Sequence, residues 1–515
     1  MGASLSQCGC LPMRMRCCAL DLSTLASPGE GDMVCRQLLA AGLDAADLAA
    51  KRSLFAAAAS RLIDEGLART VAAKAYWVPG RIEVAGKHTD YAGGRSLLAA
   101  ASRGFAVVSV DRDDDVFRIY TTLGRKHERK SAKLAITGEL EPVQGHWSSY
   151  PAVAIRRLAR NFGIKKGADV ALERDLPESS GMSSSSAVIC LMWMILSERN
   201  GICQSQKFKE NLRTPEELYS YLGFIENGQD CGSVLVGDKG VGTFGGSEDH
   251  TAIMSCKAGN LNLFSYCPTK HEGTFSFPPQ LVFVIAVSGA LAEKTGDAMA
   301  DYNNAAFLAR DAAAAYCDSV GALPPQLKET FVPGRANLAE VVRTVRRSLP
   351  QSDQTDWHAK VRAEVGEAIA KVDDGAKYGP SSSVRYRRGA LRERFEQFFD
   401  ESELIVAQLA GAISAADAGE IGRLADESHR QTVECLRNTI PETAWLPRKA
   451  RELGALGASA FGAGFGGSCW ALIAKEEAGV FMEKWRSAYV EQFPRWAETC
   501  TFFFAGCCPG ALVIR

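Results

Sequence analysis

A chain of 515 residues carries more apolar surface than one core ordinarily buries, so two domains are expected. Hydrophobic residues make up 46% of it and charged residues 23%, a globular mix, and 59 basic against 60 acidic side chains give a nucleic acid or polyanion no bulk charge to recognise. The 16 cysteines are scattered from Cys8 to Cys508 without a CxxC pair or a zinc-spaced Cys/His quartet, which speaks against a disulfide scaffold and for reduced thiols in a cytoplasmic chain.

Residues 1–40 have no clear period at their start and are expected to form a disordered N-terminal extension. Gly2 and Ser6 match the short myristoylation pattern, with Cys8, Cys10, Cys17 and Cys18 as possible second anchors, but so short a pattern recurs by chance and anchoring is not expected. Residues 48–67 are Ala-rich at helical spacing, and residues 75–84 turn strand-like. Residues 105–122, FAVVSVDRDDDVFRIYTT, alternate about an Asp/Arg cluster and predict a hairpin. An amphipathic helix is predicted over 150–162, after Ser148 and Ser149, followed by strand, turn and helix over 168–201. The apolar run 187–196 is half the length of a membrane span and reads as a buried helix. Seven glycines lie between residues 228 and 246, where GVGTFG fits GxGxxG but lacks the following helix and downstream acid of a dinucleotide site, so a flexible loop is expected. Residues 281–290 predict a buried strand and 293–316 a helix; a largely helical second half follows, with a polar patch at 373–384 and a Gly-rich turn and strand at 462–474.

Four segments carry candidate chemistry. GRIEVAGKHTDYAGG, residues 80–94, places Arg81, Lys87, His88 and Asp90 close enough to converge on a small polar molecule, although a surface hairpin is the competing reading. Gly181 and Ser183 to Ser186 stand where a turn becomes the first turn of a helix, so unpaired N–H groups and hydroxyls suit an anion, and a serine oxygen suits Mg²⁺. An N-cap with surplus serines explains the same residues; a serine nucleophile is disfavoured because GxSxG and SxxK are both missing. Glu248, Asp249 and His250 follow two glycines, where a carboxylate is either a base or an ordinary loop acid. Gly457, Gly462, Gly464, Gly466 and Gly467 precede a strand and either permit turns or admit a ligand to the backbone.

Taken together, residues 81–94, 181–187 and 462–467 resemble the three ordered signatures of the GHMP small-molecule kinases, the first being similar to the galactokinase signature in particular. The similarity continues in ADYNNAA around Tyr302, in residues 424–443 and in PGAL near the end, and begins at about residue 76. It implies an α+β, two-domain GHMP kinase fold: a ribosomal protein S5 domain 2-like N-terminal domain over 41–275, a ferredoxin-like C-terminal domain over 276–515, and a site in the cleft between them. It also implies ATP-dependent phosphorylation of the anomeric hydroxyl of galactose or a related monosaccharide, with Mg²⁺ as cofactor and neither nucleic acid nor a membrane span involved.

Position by position, the resemblance implies that Asp249 orients the anomeric hydroxyl and accepts its proton, with Arg81 holding that carboxylate ionised. Gly181, Met182, Ser183, Ser184, Ser185 and Ser186 would wrap the ATP phosphates, Ser185 and Glu226 would hold Mg²⁺, and His88, Asp90 and Tyr302 would contact sugar. Two departures stand out. Glu226 and Asp249 are 23 residues apart, roughly twice the family's spacing, which places a Gly-rich insertion beside the site and questions Glu226. Lys87 stands where the family has a Glu that accepts from the sugar's C6 hydroxyl, and an ammonium only donates. A C6 carboxylate would gain about 1.5 to 3 kcal/mol from Lys87, so a galacturonokinase-like uronic acid 1-kinase is one alternative; in the other, Lys87 turns to solvent or pairs with Asp90 or Glu248. A non-catalytic sugar and ATP sensor is a further reading, disfavoured by the uncut GMSSSSA and by Asp249. A kinase of non-sugar alcohols is disfavoured by HTDY, SHRQ and PGAL.

Overall fold

The computed structural model describes residues 20–27, 32–124, 128–143, 145–178, 180–291, 299–321, 337–372 and 386–515. The lipidation pattern at Gly2 to Cys18 and the polar patch at 373–384 lie outside the described residues. The chain forms two compact units that are not consecutive halves: residues 20–82, Ala99–Leu261 and Ala505–Arg515 make one, Glu83–Leu98 and Asn262–Phe504 the other. This division departs from the single cut at 275/276 expected from sequence in three segments: residues 83–98 and 262–275 pack with the second unit, and residues 505–515 return to the first.

In the first unit a sheet runs Leu20–Asp21, Ala72–Ala85, Arg95–Asp111, Ala168–Arg174, Val116–Leu123, Glu128–Ala135, and Leu512–Ile514 also pairs with the second of these strands at Ala75 to Trp77. The predicted hairpin over 105–122 does not form. Ala168–Arg174 lies between its two arms, antiparallel to Phe105 to Asp111 and parallel to Arg118 to Thr121. Gly167 makes the insertion possible: its N–H donates to Asp114 O, its carbonyl accepts from Arg112 N–H, and a Cβ there would meet Val116 O at 1.8 Å. Val116–Leu123 makes its hairpin with Glu128–Ala135 instead.

One face of this sheet, including Ala75, Trp77, Ala106, Val108 and Ala171, packs on Phe55, Ala58 and Leu62 of the helix Leu48–Asp64. Residues 20–27 and 32–40, read as part of a disordered extension, belong to the same core: Asp21 and Asp32 cap the helices Leu22–Ala26 and Met33–Ala41, and Leu20, Leu22, Leu25, Val34 and Leu38 are buried there. Three-residue apolar spacing over so short a stretch gives little signal, and the burial comes from tertiary packing. On the opposite face Tyr76 reaches Glu198 of the helix Ser184–Arg199. That helix packs with Ser149–Phe162, Pro215–Asn227 and Glu248–Ser255, so the predicted run 187–196 is buried within a helical layer.

In the second unit a four-stranded sheet runs Gly457–Phe461, Ser468–Ala474, Leu281–Val287, Thr501–Ala505. Val282, Val284, Ala286, Cys469, Ala471 and Ile473 bury one face of it against Leu446, Phe481, Trp485 and Tyr489. A separate core joins the helices Met299–Ser319, Leu338–Ser348, Trp357–Val372 and Ala390–Phe399, with Ala92 at its edge.

Candidate active site

In the first unit, Arg81 sits near the end of the strand Ala72–Ala85 and Asp249 in the first turn of the helix Glu248–Ser255. Arg81 Nε donates to Asp249 Oδ1 at 2.7 Å, and its Nη1 donates to Gly181 O at 2.6 Å, so one buried guanidinium joins the acid to the serine turn. Arg81 N–H donates to Met182 O at 3.3 Å, and a Cβ on Gly80 would meet that same oxygen at 2.8 Å, which explains why the strand has glycine where it passes the turn. Helix Ser184–Arg199 starts from Ser183 in the left-handed region, φ 62°. Its first-turn N–H groups have no acceptor a helical turn earlier, and the buried Ser183 hydroxyl has no partner among the described residues. A buried hydroxyl and helix N–H groups left without acceptors fit phosphate oxygens.

Ser186 Oγ donates to Glu226 Oε2 at 2.8 Å and lies 3.3 Å from Asp249 Oδ2. Two carboxylates sharing one hydroxyl beside an anion-ready turn form an all-oxygen donor set of the kind Mg²⁺ takes. Ser186 is the serine that reaches Glu226; Ser185, expected beside Glu226 as a Mg²⁺ ligand, is one residue, about 100° of helix, away and half-buried. His250 Nε2 approaches Glu226 Oε2 at 3.1 Å, a neighbour that a loop reading of residues 246–250 does not anticipate. Cys190, one turn beyond Ser186, has its thiol pushed well up by burial and then by the charges of Glu226 and Asp249.

The insertion between Glu226 and Asp249 does not separate them. Its ends close on themselves, Asp238 N–H donating to Gly228 O, Val241 N–H to Glu226 O and Asn227 Nδ2 to Gly245 O. Arg156 Nε, paired with Asp238 at 2.8 Å and equally buried, fastens the loop to the helix Ser149–Phe162. The GxGxxG segment is therefore a stapled loop, its Gly240 lying so close to Glu226 O that a Cβ would sit 2.3 Å away.

In the second unit, residues 86–90 form a buried loop in which Gly86 has φ 109° and His88 φ 57°. His88 Nδ1 pairs with Tyr91 OH at 2.8 Å, its Nε2 lies 3.1 Å from Ala463 O and 3.0 Å from Asn438 Nδ2, and its ring is 5.7 Å from that of Tyr302. Gly462 N–H donates to Glu83 Oε2 at 2.7 Å, so the Gly-rich turn at 462–467 adjoins the loop 86–90. Asp90 accepts from Tyr91 N–H at 2.8 Å. Lys87 is 1% exposed, and its Nζ donates to Ser428 Oγ and Ser459 Oγ, each at 2.7 Å. It neither turns to solvent nor keeps all three N–H groups for a C6 carboxylate, and the uronic acid reading loses its main support. Sequence alone does not single out Asn438, Ser428, Ser459 or Glu401; Ser428 and Asn438 fall within the 424–443 similarity and Ser459 within the Gly-rich segment 457–467, while Glu401 has no such signal.

A serine turn feeding a helix, an Arg–Asp pair beside it and a two-unit α/β architecture define a small-molecule kinase class, and the family models agree: the GHMP kinases N-terminal domain matches residues 149–235 and the GHMP kinases C-terminal domain residues 409–491. The chain thus carries both domains of the GHMP kinases. It also carries the galactokinase galactose-binding signature over residues 70–109. It is 22% identical over 471 residues to a galactokinase of Dictyostelium discoideum, covering 85% of this chain and 89% of that one. To a galactokinase of Enterococcus faecalis it is 23% identical over 420 residues, covering 81% and 90%. The crystal structure of Lactococcus lactis galactokinase complexed with galactose matches with a TM-score of 0.61 at 21% identity, covering 85% of this chain and 95% of that one, a likeness of fold.

Proposed function

We propose that this protein is a galactokinase: it transfers the γ-phosphoryl group of ATP to the anomeric hydroxyl of galactose, giving galactose 1-phosphate and ADP. The observation that carries this reading is Arg81 bound at once to Asp249 and to the carbonyl of Gly181, which brings a carboxylate base beside an anion-binding turn in a chain with the galactose-binding signature.

Phosphoryl transfer asks for alignment and charge neutralisation more than for covalent help. Asp249 Oδ accepts the hydroxyl proton as the O–P bond forms, and the Arg81 guanidinium favours the ionised carboxylate and offsets negative charge on the attacking oxygen. Gly181 to Ser186 hold phosphate oxygens through backbone N–H groups and the Ser183 hydroxyl. Ser186 and Glu226 are the residues that would hold Mg²⁺, which when bound neutralises charge on the phosphates. His88, Asp90 and Tyr302 recognise sugar hydroxyls, rewarding the correct pattern because buried polar groups left unpaired are costly. Among the described residues no helix is long and apolar enough to cross a membrane; a cytoplasmic location is part of the proposal.

The test is a panel of galactose, glucose, galacturonate, mevalonate and homoserine with ATP and Mg²⁺, read as ADP release and as sugar 1-phosphate. Galactose should dominate and yield the 1-phosphate. Stabilisation by galactose without turnover would replace this reading by a sensor, and turnover confined to galacturonate or a non-sugar alcohol would replace its substrate.

A further inference from the structure

The loop that carries Lys87 and His88 is held through its backbone by one helix more than three hundred residues downstream. Glu401 Oε1 accepts from Gly86 N–H at 2.7 Å and from Lys87 N–H at 3.3 Å. Gln397 Nε2 donates to Lys87 O at 3.3 Å, and Arg394 Nη2 donates to His88 O. Ser402 Oγ accepts from Arg95 N–H at 3.1 Å, where the chain leaves the loop. All four side chains are at most 2% exposed. Arg394 and Gln397 lie on Ala390–Phe399, and Glu401 and Ser402 on the π-helical turn Asp400–Ile405 that continues it. The wider turn brings successive residues closer to one face, so Glu401 and Ser402 both point inward, and such turns often mark functional sites.

The same carboxylate is coupled to the Lys87 ammonium. Ser428 Oγ donates to Glu401 Oε1 at 2.9 Å and accepts from Lys87 Nζ, so a single hydroxyl bridges two buried opposite charges. Lys87 is near enough to help burial push His429 down to about 4. Holding a non-glycine residue such as His88 at φ 57° needs surroundings that over-determine it, and these bonds supply them.

We propose that Glu401, bridged by Ser428 to Lys87, is a positioning residue that sets the sugar-binding loop, and that Lys87 anchors this loop in place of touching the sugar. The proposal rests on the reading of residues 86–90 as the sugar loop. Buried ion pairs are costly to break from one side and much less costly to remove together, which makes the pair separable by a double-mutant cycle.

The experiment compares galactose and 6-deoxygalactose kinetics, and melting temperature, for wild type, Glu401→Leu, Glu401→Gln, Lys87→Met and Lys87→Met/Glu401→Gln. Glu401→Leu, which removes the acceptor for both N–H groups, should raise KM for galactose about tenfold while KM for ATP and kcat stay within about threefold. Glu401→Gln keeps that acceptor and should rescue most of the loss. Lys87→Met should raise KM for both sugars by the same factor, and the double variant should lose less, in KM and in melting temperature, than the two single losses combined. Equal rises in KM for galactose and ATP, additive losses in the cycle, or a changed preference between the two sugars in Lys87→Met would each overturn the proposal, the last by showing that the ammonium meets C6. Should Lys87→Met fail to fold, Ser428→Ala replaces it in the same comparison. A wild type that turns over no sugar overturns the proposed function; the network then stands or falls by the melting cycle.

Discussion

In the first unit Arg81, Asp249, Ser186 and Glu226 meet side chain to side chain. In the second, the loop 86–90 is gripped by its N–H and carbonyl groups, and its grip comes from Arg394, Gln397 and Glu401. A cluster of touching charges can exchange one partner for a proton, a cation or a phosphate with little movement. A loop fixed by its backbone offers its remaining side chains as a rigid template, and preorganisation of that kind acts on binding more than on rate. Damage to the first cluster should therefore appear in the chemical step, and damage to the second in sugar affinity or in folding.

The largest expected effect would sharpen that division. Asp249→Asn keeps the contact with Arg81 and removes the base, and kcat should fall about a thousandfold with both KM values little changed, measured as sugar 1-phosphate formed; a fall below about tenfold would mean alignment alone carries the reaction. Gly86→Ala comes next: with φ at 109° and a Cβ that would meet Arg95 O and Ser96 Cα, each at 2.5 Å, it should cost about 3 kcal/mol in denaturant unfolding. Gly66→Ala, at φ 96° with nothing within 4 Å, should cost only about 1 kcal/mol, so the difference between them measures the crowding around the sugar loop.

His429 tests the second unit by pH. Its folded pKa of about 4 lies below the ordinary 6.5, so below pH 6.5 the unfolded chain binds the proton more readily and stability falls as pH drops toward 4. Between pH 7 and pH 5 this residue should account for about 2 kcal/mol, read as the part of the pH dependence that His429→Gln removes. The smallest effect separates two adjacent serines: Ser186→Ala should raise the Mg²⁺ needed for half-maximal rate about tenfold, and Ser185→Ala hardly at all.

Local chemistry was legible where neighbours in sequence are neighbours in space. The turn at Gly181 to Ser186, the strand that carries Arg81 and the buried run 187–196 follow from period and residue type, and Asp249 and Glu226 were expected from family likeness. Choosing Ser186 over Ser185 needed the helical phase relative to Glu226, which spacing alone does not supply. The hairpin expectation failed because nothing local in residues 105–122 reveals that Gly167 opens the path for another strand. Lys87 was the least legible residue, since its partners Ser428 and Ser459 are distant in sequence and no pattern ties a lysine to two serines.

The pairing of Leu512–Ile514 with Ala75 to Trp77 imposes an order on biosynthesis. While the ribosome is still translating the second unit, that stretch of the strand Ala72–Ala85 waits without its last neighbour, and an unpaired strand edge invites other chains. The first unit to be translated is thus the last to be completed, and its nascent form is the stage at which chaperone shielding matters most.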